Sequence, residues 1–594
     1  MIRTPLRPLA SVISARDKGV NPDFVEKENL RRRHEDMRDQ ERQQAETRLL
    51  ALGVMFALAF IVVGARMATL ASSAPHEPRA ESLSAASVTQ RADIIDRNGA
   101  ILATNLITNA LYAQPPMMID KAEAARKLAQ VFPDMDAAGL EAKFASDRKF
   151  VWLRRKMSPE QVQRVHDIGE PGLLFGSREM RLYPNGRLAA HVLGGASFGR
   201  EGVRSAEVVG IAGIEHEFDT LLGDPARKGE PLRLTIDLSV QAATRRVLEG
   251  GMKMFSAKGA AAVLLDVQDG EILALVSLPD FDPNARPRPL RGGKASESPL
   301  FNRAAQGLYE LGSTFKVFVA AQSLETGIAG PDTMVDTQGP IRKAGFTIRD
   351  FHDYGRKLSL TDVVVHSSNI GAANLATEIG PARQQRFLDA LGLLVPLGVE
   401  LPEARNVRPL VPKHWTDLSA MTIAYGHGIA VTPLHLATAY ASLVNGGHKI
   451  TPTLRKPVAP PETGPRLVSE DTSKALRLML RQVVTRGTAS LAEVPGYEVG
   501  GKTGSADKPK PGGGYEKEKL VSTFAAIFPS SDPKYVLVVT YDEPVETSGL
   551  KPRRTAGWTA APVAAEIITR VAPLLDMHPA IAPGGRMDYM LSSY

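Results

Sequence analysis

Five serines in this 594-residue chain stand three positions ahead of a lysine: Ser146, Ser313, Ser505, Ser531 and Ser548. On a helix, residues i and i+3 share a face, so a lysine amine can reach such a hydroxyl. An unassisted serine is a weak nucleophile, and a desolvated lysine with lowered proton affinity can take its proton. Context separates the five. Pro533 lies inside the Ser531 motif, and Ser548 has Gly549 within its motif and Pro552 just after. Ser505 opens a Gly/Pro-rich loop, and Ser146 sits in the charged "SDRKF". Only Ser313, in "YELGSTFKVFVAAQSLETG", begins an apolar-periodic stretch, with Phe315, Val317, Phe318, Val319, Ala320 and Leu324. That pattern predicts a helix carrying Ser313 and Lys316 on its first turn. Gly312 permits a tight entry, and the helix N-terminus offers backbone N–H groups to a developing oxyanion.

Two further stretches could complete such a site. "VVVHSSNIGAANLA" places Ser367-Ser368-Asn369 between apolar runs. A hydroxyl and an amide two apart on a loop can both point into one cleft. An ordinary helix cap accounts for the same residues. "GYEVGGKTGSADKPKPGGGY" satisfies the phosphate-loop pattern through Gly496, Gly501, Lys502 and Thr503. A phosphate loop needs a helix starting at its Lys-Thr. Here Gly504, Pro509, Pro511 and Gly512-Gly513-Gly514 follow instead. Prolines and glycines at that density do not build a helix interior. The stretch reads as a strand running out into a loop, with Lys502 facing a cleft and meeting an anion other than a nucleotide.

These candidates need a scaffold, and the chain is long enough for two to four domains. Lys and Arg number 72 against 65 Asp and Glu, a net charge of +7 that is dispersed along the chain. A nucleic-acid protein would show a basic stripe with interleaved aromatics, so no nucleic-acid partner is expected. There are no cysteines, which excludes disulfides, thiolate metal sites and cysteine nucleophiles. "LLALGVMFALAFIVVGA", Leu49 to Ala65, carries no charge and spans about 25 Å as a helix. Arg66 can snorkel to lengthen it to a full crossing. Arg31, Arg32, Arg33, Arg38, Arg42 and Arg48 crowd its N-terminal side, so the N-terminus is expected in the cytoplasm and the rest exported. The expected divisions are a cytoplasmic tail 1–48, a transmembrane helix 49–70, a linker 71–90, an elongated module 91–228, a catalytic-type domain 229–575 and an unstructured tail 576–594. Asn98-Gly99 between apolar runs marks a hairpin. Asp237 is expected to cap a helix that stops at Gly250-Gly251. "AAAVLLDV" and "EILALVS" form a hairpin. Strand signals return only at "YEVGGKT", "VSTFAAIF" and "KYVLVVTY". Strands at both ends of a helical insertion predict an α+β fold: one antiparallel sheet of about five strands with helices packed on it.

The order Ser-x-x-Lys, Ser-x-Asn, Lys-Thr-Gly is the signature set of penicillin-recognising serine enzymes. The chain resembles class B penicillin-binding proteins well beyond the triplet. "NRAAQGLYELGSTFK", "GEILALVSLPDFDPN", "FHDYG", "YGHGIAVTPLHLATAYASLVNGG" and "GWTAAPVAAEI" are similar to their transpeptidase domain, and "ADIIDRNGAILA" and "YPNGRLAAHVLG" to their pedestal module. "YGHGIAVTP" and "AGWTAAP" look more like the division-specific, septal branch than the elongation branch. Leu311 stands where the family usually has Pro, Ala92 where it has Gly, and Ser505 where Thr is commoner; none of these removes a catalytic group.

The resemblance implies D,D-transpeptidation of peptidoglycan stem peptides through a serine acyl-enzyme. It assigns attack to Ser313, proton acceptance to Lys316, proton relay and amide binding to Ser367 and Asn369, and carboxylate binding to Lys502 and Thr503. Gly504 would leave room for substrate beside the strand. Backbone N–H groups of Ser313 and Ser505 would form the oxyanion hole. No metal or organic cofactor is implied. The implied partners are stem peptides ending in D-Ala-D-Ala, β-lactams, a glycosyltransferase of the shape-elongation-division-sporulation (SEDS) family and other divisome proteins. The implied setting is the bacterial inner membrane at the septum, crossed once, with the catalytic domain in the periplasm. An elongation-type relative, a D,D-carboxypeptidase and a β-lactam sensor on the same fold remain as alternatives.

Overall fold

Continuous apolar runs, rather than alternating ones, mark the strands at the centre of this protein. A computed structural model describes residues 7–19, 21–72, 91–201, 206–510 and 512–580. Asp237 caps the helix α1 (Leu238–Met254) by accepting from the N–H groups of Ser239 and Val240. The strands β1 (Gly259–Asp266) and β2 (Ile272–Leu278) follow, buried almost throughout. Then come the helices α2 (Lys316–Glu325), α3 (Asn369–Ile379), α4 (Pro433–Val444) and α5 (Glu470–Arg486). The strands β3 (Gly500–Pro509), β4 (Tyr515–Phe528) and β5 (Tyr535–Asp542) and the helix α6 (Ala560–Val571) close the domain.

The five strands form one antiparallel sheet in the order β3-β4-β5-β1-β2. The early hairpin is thus stitched to the last strand of the late meander, and the helical insertion lies between them in sequence. A strand buried on both faces carries an unbroken apolar run. Helix α4, buried along its whole length, packs on β5 and β1, while α1 and α6 pack on each other and on the sheet. Helix α5 lies along β3.

Two expectations need correction. Helix α1 runs through Gly250-Gly251 to Met254. A Cβ at Gly251 would come within 2.1 Å of the Tyr541 hydroxyl, which donates to the Leu248 carbonyl. That glycine admits the tyrosine of β5 instead of ending the helix. The tail also begins later than residue 576. Met577 is buried, and the Ala580 N–H donates to the Gly496 carbonyl; the remaining tail lies outside the described residues.

The Asp96–Gly99 turn joins Ile94–Ile95 to a long strand, Ile101–Ala113, as expected from Asn-Gly. That strand pairs with Val151–Met157 and Leu173–Leu182, and the short strand pairs in parallel with Leu232–Arg233. A buried ion network ties this region together. Glu215, with no exposed surface, accepts from Arg91 at 2.8 Å and from Arg181 at 2.6 Å. Leaving one member of such a group unpaired is expensive, because the survivor is a buried charge. Separately, residues Pro22–Ser72 form one helix, and Glu46–Thr69 within it is long and apolar enough to cross a membrane. The expected linker, 71–90, lies outside the described residues apart from its first two positions.

Candidate active site

Ser313 sits in a single 3₁₀ turn, Gly312–Phe315, which runs directly into α2. Gly312 has φ +57°, the left-handed region that glycine adopts most cheaply. A second glycine presses against it: a Cβ at Gly426 would lie 2.0 Å from the Gly312 carbonyl oxygen. The "YGHG" loop therefore backs the Ser313 turn. The Tyr440 hydroxyl of α4 donates to the Thr314 carbonyl at 2.7 Å, fixing the turn from beneath.

Lys316 is almost wholly buried, and its amine stands at the centre of the site. Its Nζ lies 3.0 Å from Ser313 Oγ, 2.5 Å from the Ser367 carbonyl, 3.0 Å from Ser367 Oγ and 2.7 Å from Asn369 Oδ1. Burial, and then the charge of Lys502, hold its proton affinity well below the usual lysine range; Asp350 opposes them. A neutral amine has two N–H donors and one lone pair. The Ser367 carbonyl and Asn369 Oδ1 can take the two donors. The lone pair is then left for a hydroxyl proton, and Ser313 is in reach.

Ser367 has φ +66°, an uncommon conformation for a residue with a side chain. Ser368 is the cap of α3: its Oγ accepts from the Gly371 N–H. Both readings of the Ser-Ser-Asn stretch therefore hold, divided by residue. Ser368 caps the helix, while Ser367 and Asn369 on either side reach Lys316. The sequence reading missed Asp350. Its carboxylate accepts from Ser368 Oγ at 2.6 Å and from the N–H groups of Asn369 at 2.5 Å and Ile370 at 3.0 Å. The neighbouring Arg349 carbonyl accepts from Asn369 Nδ2. A carboxylate at a helix N-terminus is favourable, yet no local signal links residue 350 to a cap 18 positions on.

The Lys-Thr-Gly stretch lies early in β3, which begins at Gly500 and continues past Lys508. It does not end in a loop after Thr503. Lys502 does not face an open cleft either. It is fully buried, and Nζ donates to Ser367 Oγ at 3.0 Å and to the Thr503 carbonyl at 3.1 Å. Burial pulls its proton affinity down to about 7. Ser367 Oγ is thus shared by two lysines, one on each side. The Thr503 hydroxyl pairs with that of Thr488 at 2.7 Å, a second partner the sequence reading missed. The Ser505 hydroxyl accepts from the Ala556 N–H at 2.9 Å.

Gly504 serves the fold rather than leaving space for substrate. A Cβ there would come within 2.1 Å of the Leu311 carbonyl oxygen and 2.8 Å of Thr314 Cγ2. The strand and the Ser313 turn meet backbone to backbone at this point. The other four Ser-x-x-Lys serines have different partners: Ser146 donates to the Lys143 carbonyl, Ser531 to Glu498, and Ser548 accepts from Arg553, while Ser505 holds Ala556. Beside the site, Tyr309, Glu310, Gly428 and Asp507 line part of a cavity of about 500 Å³.

Comparison with known proteins identifies the chain's family. The penicillin binding protein transpeptidase domain matches residues 260–569, and the penicillin-binding protein dimerisation domain matches residues 86–226. The chain is 38% identical over 503 residues to the probable peptidoglycan D,D-transpeptidase FtsI of Caulobacter vibrioides, covering 82% of each chain. It is 28% identical over 535 residues to peptidoglycan D,D-transpeptidase FtsI of Escherichia coli K12, covering 85% of this chain and 87% of that one. The crystal structure of penicillin binding protein 3 from Mycobacterium tuberculosis, complexed with aztreonam, superposes with a TM-score of 0.62 at 26% identity, over 83% of this chain and 98% of that one.

Proposed function

Since the chain belongs to the class B penicillin-binding proteins, we propose that it is a serine-type peptidoglycan D,D-transpeptidase of septal wall synthesis, with Ser313 as nucleophile and Lys316 as its base. One observation carries the assignment: a buried lysine amine 3.0 Å from the hydroxyl of a serine on a helix-opening turn.

Ser313 Oγ attacks the carbonyl carbon of the penultimate D-Ala, and its proton passes to Lys316 Nζ. The tetrahedral oxyanion is met by the N–H groups of Ser313 and Ser505. Gly312 and Ser505 approach closely enough that a Cβ on the glycine would lie 3.1 Å from the Ser505 nitrogen, which supports this pairing. When the C–N bond breaks, the proton returns through Ser367 Oγ to the departing D-Ala amine, leaving an ester on Ser313. An amine from a second stem peptide then forms the new amide and restores the Ser313 hydroxyl. Asn369 orients the peptide amide and Lys316. Lys502, charged, supplies positive potential toward the substrate carboxylate, with the Thr503 hydroxyl turning from Thr488 to the same anion.

Residues 91–228 serve as pedestal and 229–580 as the transpeptidase domain, with the helix at 49–70 crossing the inner membrane once. The excess of arginines before it supports a cytoplasmic N-terminus and a periplasmic catalytic domain. The partners are stem peptides ending in D-Ala-D-Ala, β-lactams, a SEDS-family glycosyltransferase and other septal proteins. Labelled penicillin tests the chemistry: a tryptic adduct on Ser313 is expected, and an adduct on any other serine refutes it. A fluorescent fusion at the lateral wall rather than midcell would refute the septal assignment.

A further inference from the structure

Asp350 has a place in the reaction that its role as a helix-end carboxylate does not exhaust. Three hydrogen bonds fasten it to Ser368 Oγ and to the N–H groups of Asn369 and Ile370. The residues flanking Ser368 both touch Lys316 Nζ. Residues 349–350 thus grip both ends of the Asn369 side chain's setting: the Arg349 carbonyl takes its amide N–H, and Asp350 takes its backbone N–H. Charge matters as well as position. The charged groups acting on Lys316 are Lys502, which disfavours its ammonium form, and Asp350, which favours it. The imidazole of His427, held below its usual range by burial, also feels Lys316. Among these, Asp350 is the anion. In the resting site Lys316 must be neutral to accept a proton, and during acylation it becomes an ammonium in a buried place.

We infer that Asp350 is a positioning residue that holds Ser367 and Asn369 in register around Lys316 and whose carboxylate favours the ammonium that forms there as Ser313 attacks. This rests on the assignment of Ser313 and Lys316 above. An opposite charge nearby raises a lysine's proton affinity by about one pH unit or more. Removing it makes Lys316 a weaker base that stays neutral to lower pH. Two changes follow together: a slower plateau, and an acidic limb displaced downward.

The experiment is the pH profile of penicillin acylation on the full chain in detergent. Asp350→Asn keeps the shape and removes the charge. Its plateau is expected to fall roughly three- to tenfold, with its acidic midpoint about one pH unit lower. Ser368→Ala breaks the bond to Asp350 and the cap but leaves the charge. It is expected to lower the plateau with no movement of the midpoint. Asp350→Glu is expected to restore the wild-type midpoint within about 0.3 pH units on the same scale. A slow Asp350→Asn variant with an unmoved midpoint overturns the inference, since loss of structure alone would do that. Should Asp350→Asn fail to fold, a midpoint in Asp350→Glu displaced by as much as one pH unit overturns it equally. Wild type that takes no penicillin on Ser313 refutes the underlying assignment instead.

Discussion

Replacing Lys502 by Met removes a charge from the interior while nearly preserving shape, and the structure predicts opposite effects on stability and activity. Lys502 is fully buried. Burial lowers its proton affinity from the usual 10.5 to about 7. At about 1.4 kcal/mol per pH unit, that difference opposes folding by about 5 kcal/mol where the lysine is charged in both states, and by progressively less once the folded one has lost its proton. The pH window follows from the sign. Between about pH 7 and 10.5 the unfolded chain binds more protons at this site than the folded one, so stability rises with pH. Below about 7 both forms are charged and the cost is constant and full. Above 10.5 it is gone.

The lysine also makes hydrogen bonds to Ser367 Oγ and the Thr503 carbonyl, each contributing about 1 kcal/mol. Setting these against the charge leaves Lys502→Met more stable than wild type by about 2–3 kcal/mol at pH 7, a rise in unfolding temperature of roughly 2–5 °C. Relief of Lys316, which the Lys502 charge disfavours, acts in the same direction. Second-order acylation by a β-lactam should fall about a hundredfold or more, since the positive potential toward the substrate carboxylate and the donor to the far side of Ser367 Oγ are lost together. Thermal unfolding of both full-length proteins in detergent, from pH 6 to 10.5, checks the first part. The gap between them should close as pH rises. A variant less stable than wild type at pH 7, or a gap independent of pH, would refute a buried, titrating Lys502.

Ser313→Ala should abolish labelling by penicillin while the unfolding temperature stays within about 2 °C, because the side chain is only half-buried; residual labelling would point to another serine. Gly504→Ala forces a methyl to within 2.1 Å of the Leu311 carbonyl, so the nucleophile turn must shift. A loss of 1–3 kcal/mol or about that in stability, with acylation reduced at least tenfold, is expected from melting and rate measurements. Thr503→Val leaves Thr488 without its 2.7 Å partner and should give a milder acylation defect than Lys502→Met, of about tenfold or less. Removing residues 1–70 should release a soluble protein that still labels; a folded but unlabelled product would give the N-terminal apolar helix a catalytic role.

What the sequence could disclose depended on whether the signal was local. Ser313 was separable from four competing Ser-x-x-Lys serines because helix periodicity, Pro and Gly are local properties, and the partners of those four agree with that separation. The five strands and their hairpins were readable for the same reason. Other features were not. Gly251 looks like a helix stop until Tyr541, nearly 300 residues away in sequence, is seen to need the space. Gly504 looks like room for a ligand until the Leu311 carbonyl is seen to fill it. Lys502 looks exposed because lysines in loops usually are, and only the pairing of β3 with β4 and the cover of α5 put it inside. Asp350 and Thr488 likewise carry no pattern of their own. Each matters through a residue brought to it by the fold.

The two buried lysines explain why the site needs that much enclosure. Ser367 Oγ lies 3.0 Å from each amine, so both ammonium forms together would place like charges across a single hydroxyl. Burial depresses both proton affinities, and Lys502 depresses Lys316 further. The more exposed arrangement that loops would provide could not keep a lysine neutral near pH 7. An unperturbed lysine at that pH is protonated to better than about 99.9% and has no lone pair to offer. On the proposed assignment, enclosure by β3, α2 and α3 is therefore the source of the base, at a cost in stability that the removal of Lys502 would return. The same reasoning accounts for Ser367 being held at φ +66°. The proposed relay hydroxyl lies 3.0 Å from each amine, and the capped helix α3 with Asp350 at its end holds the backbone there against its ordinary preference.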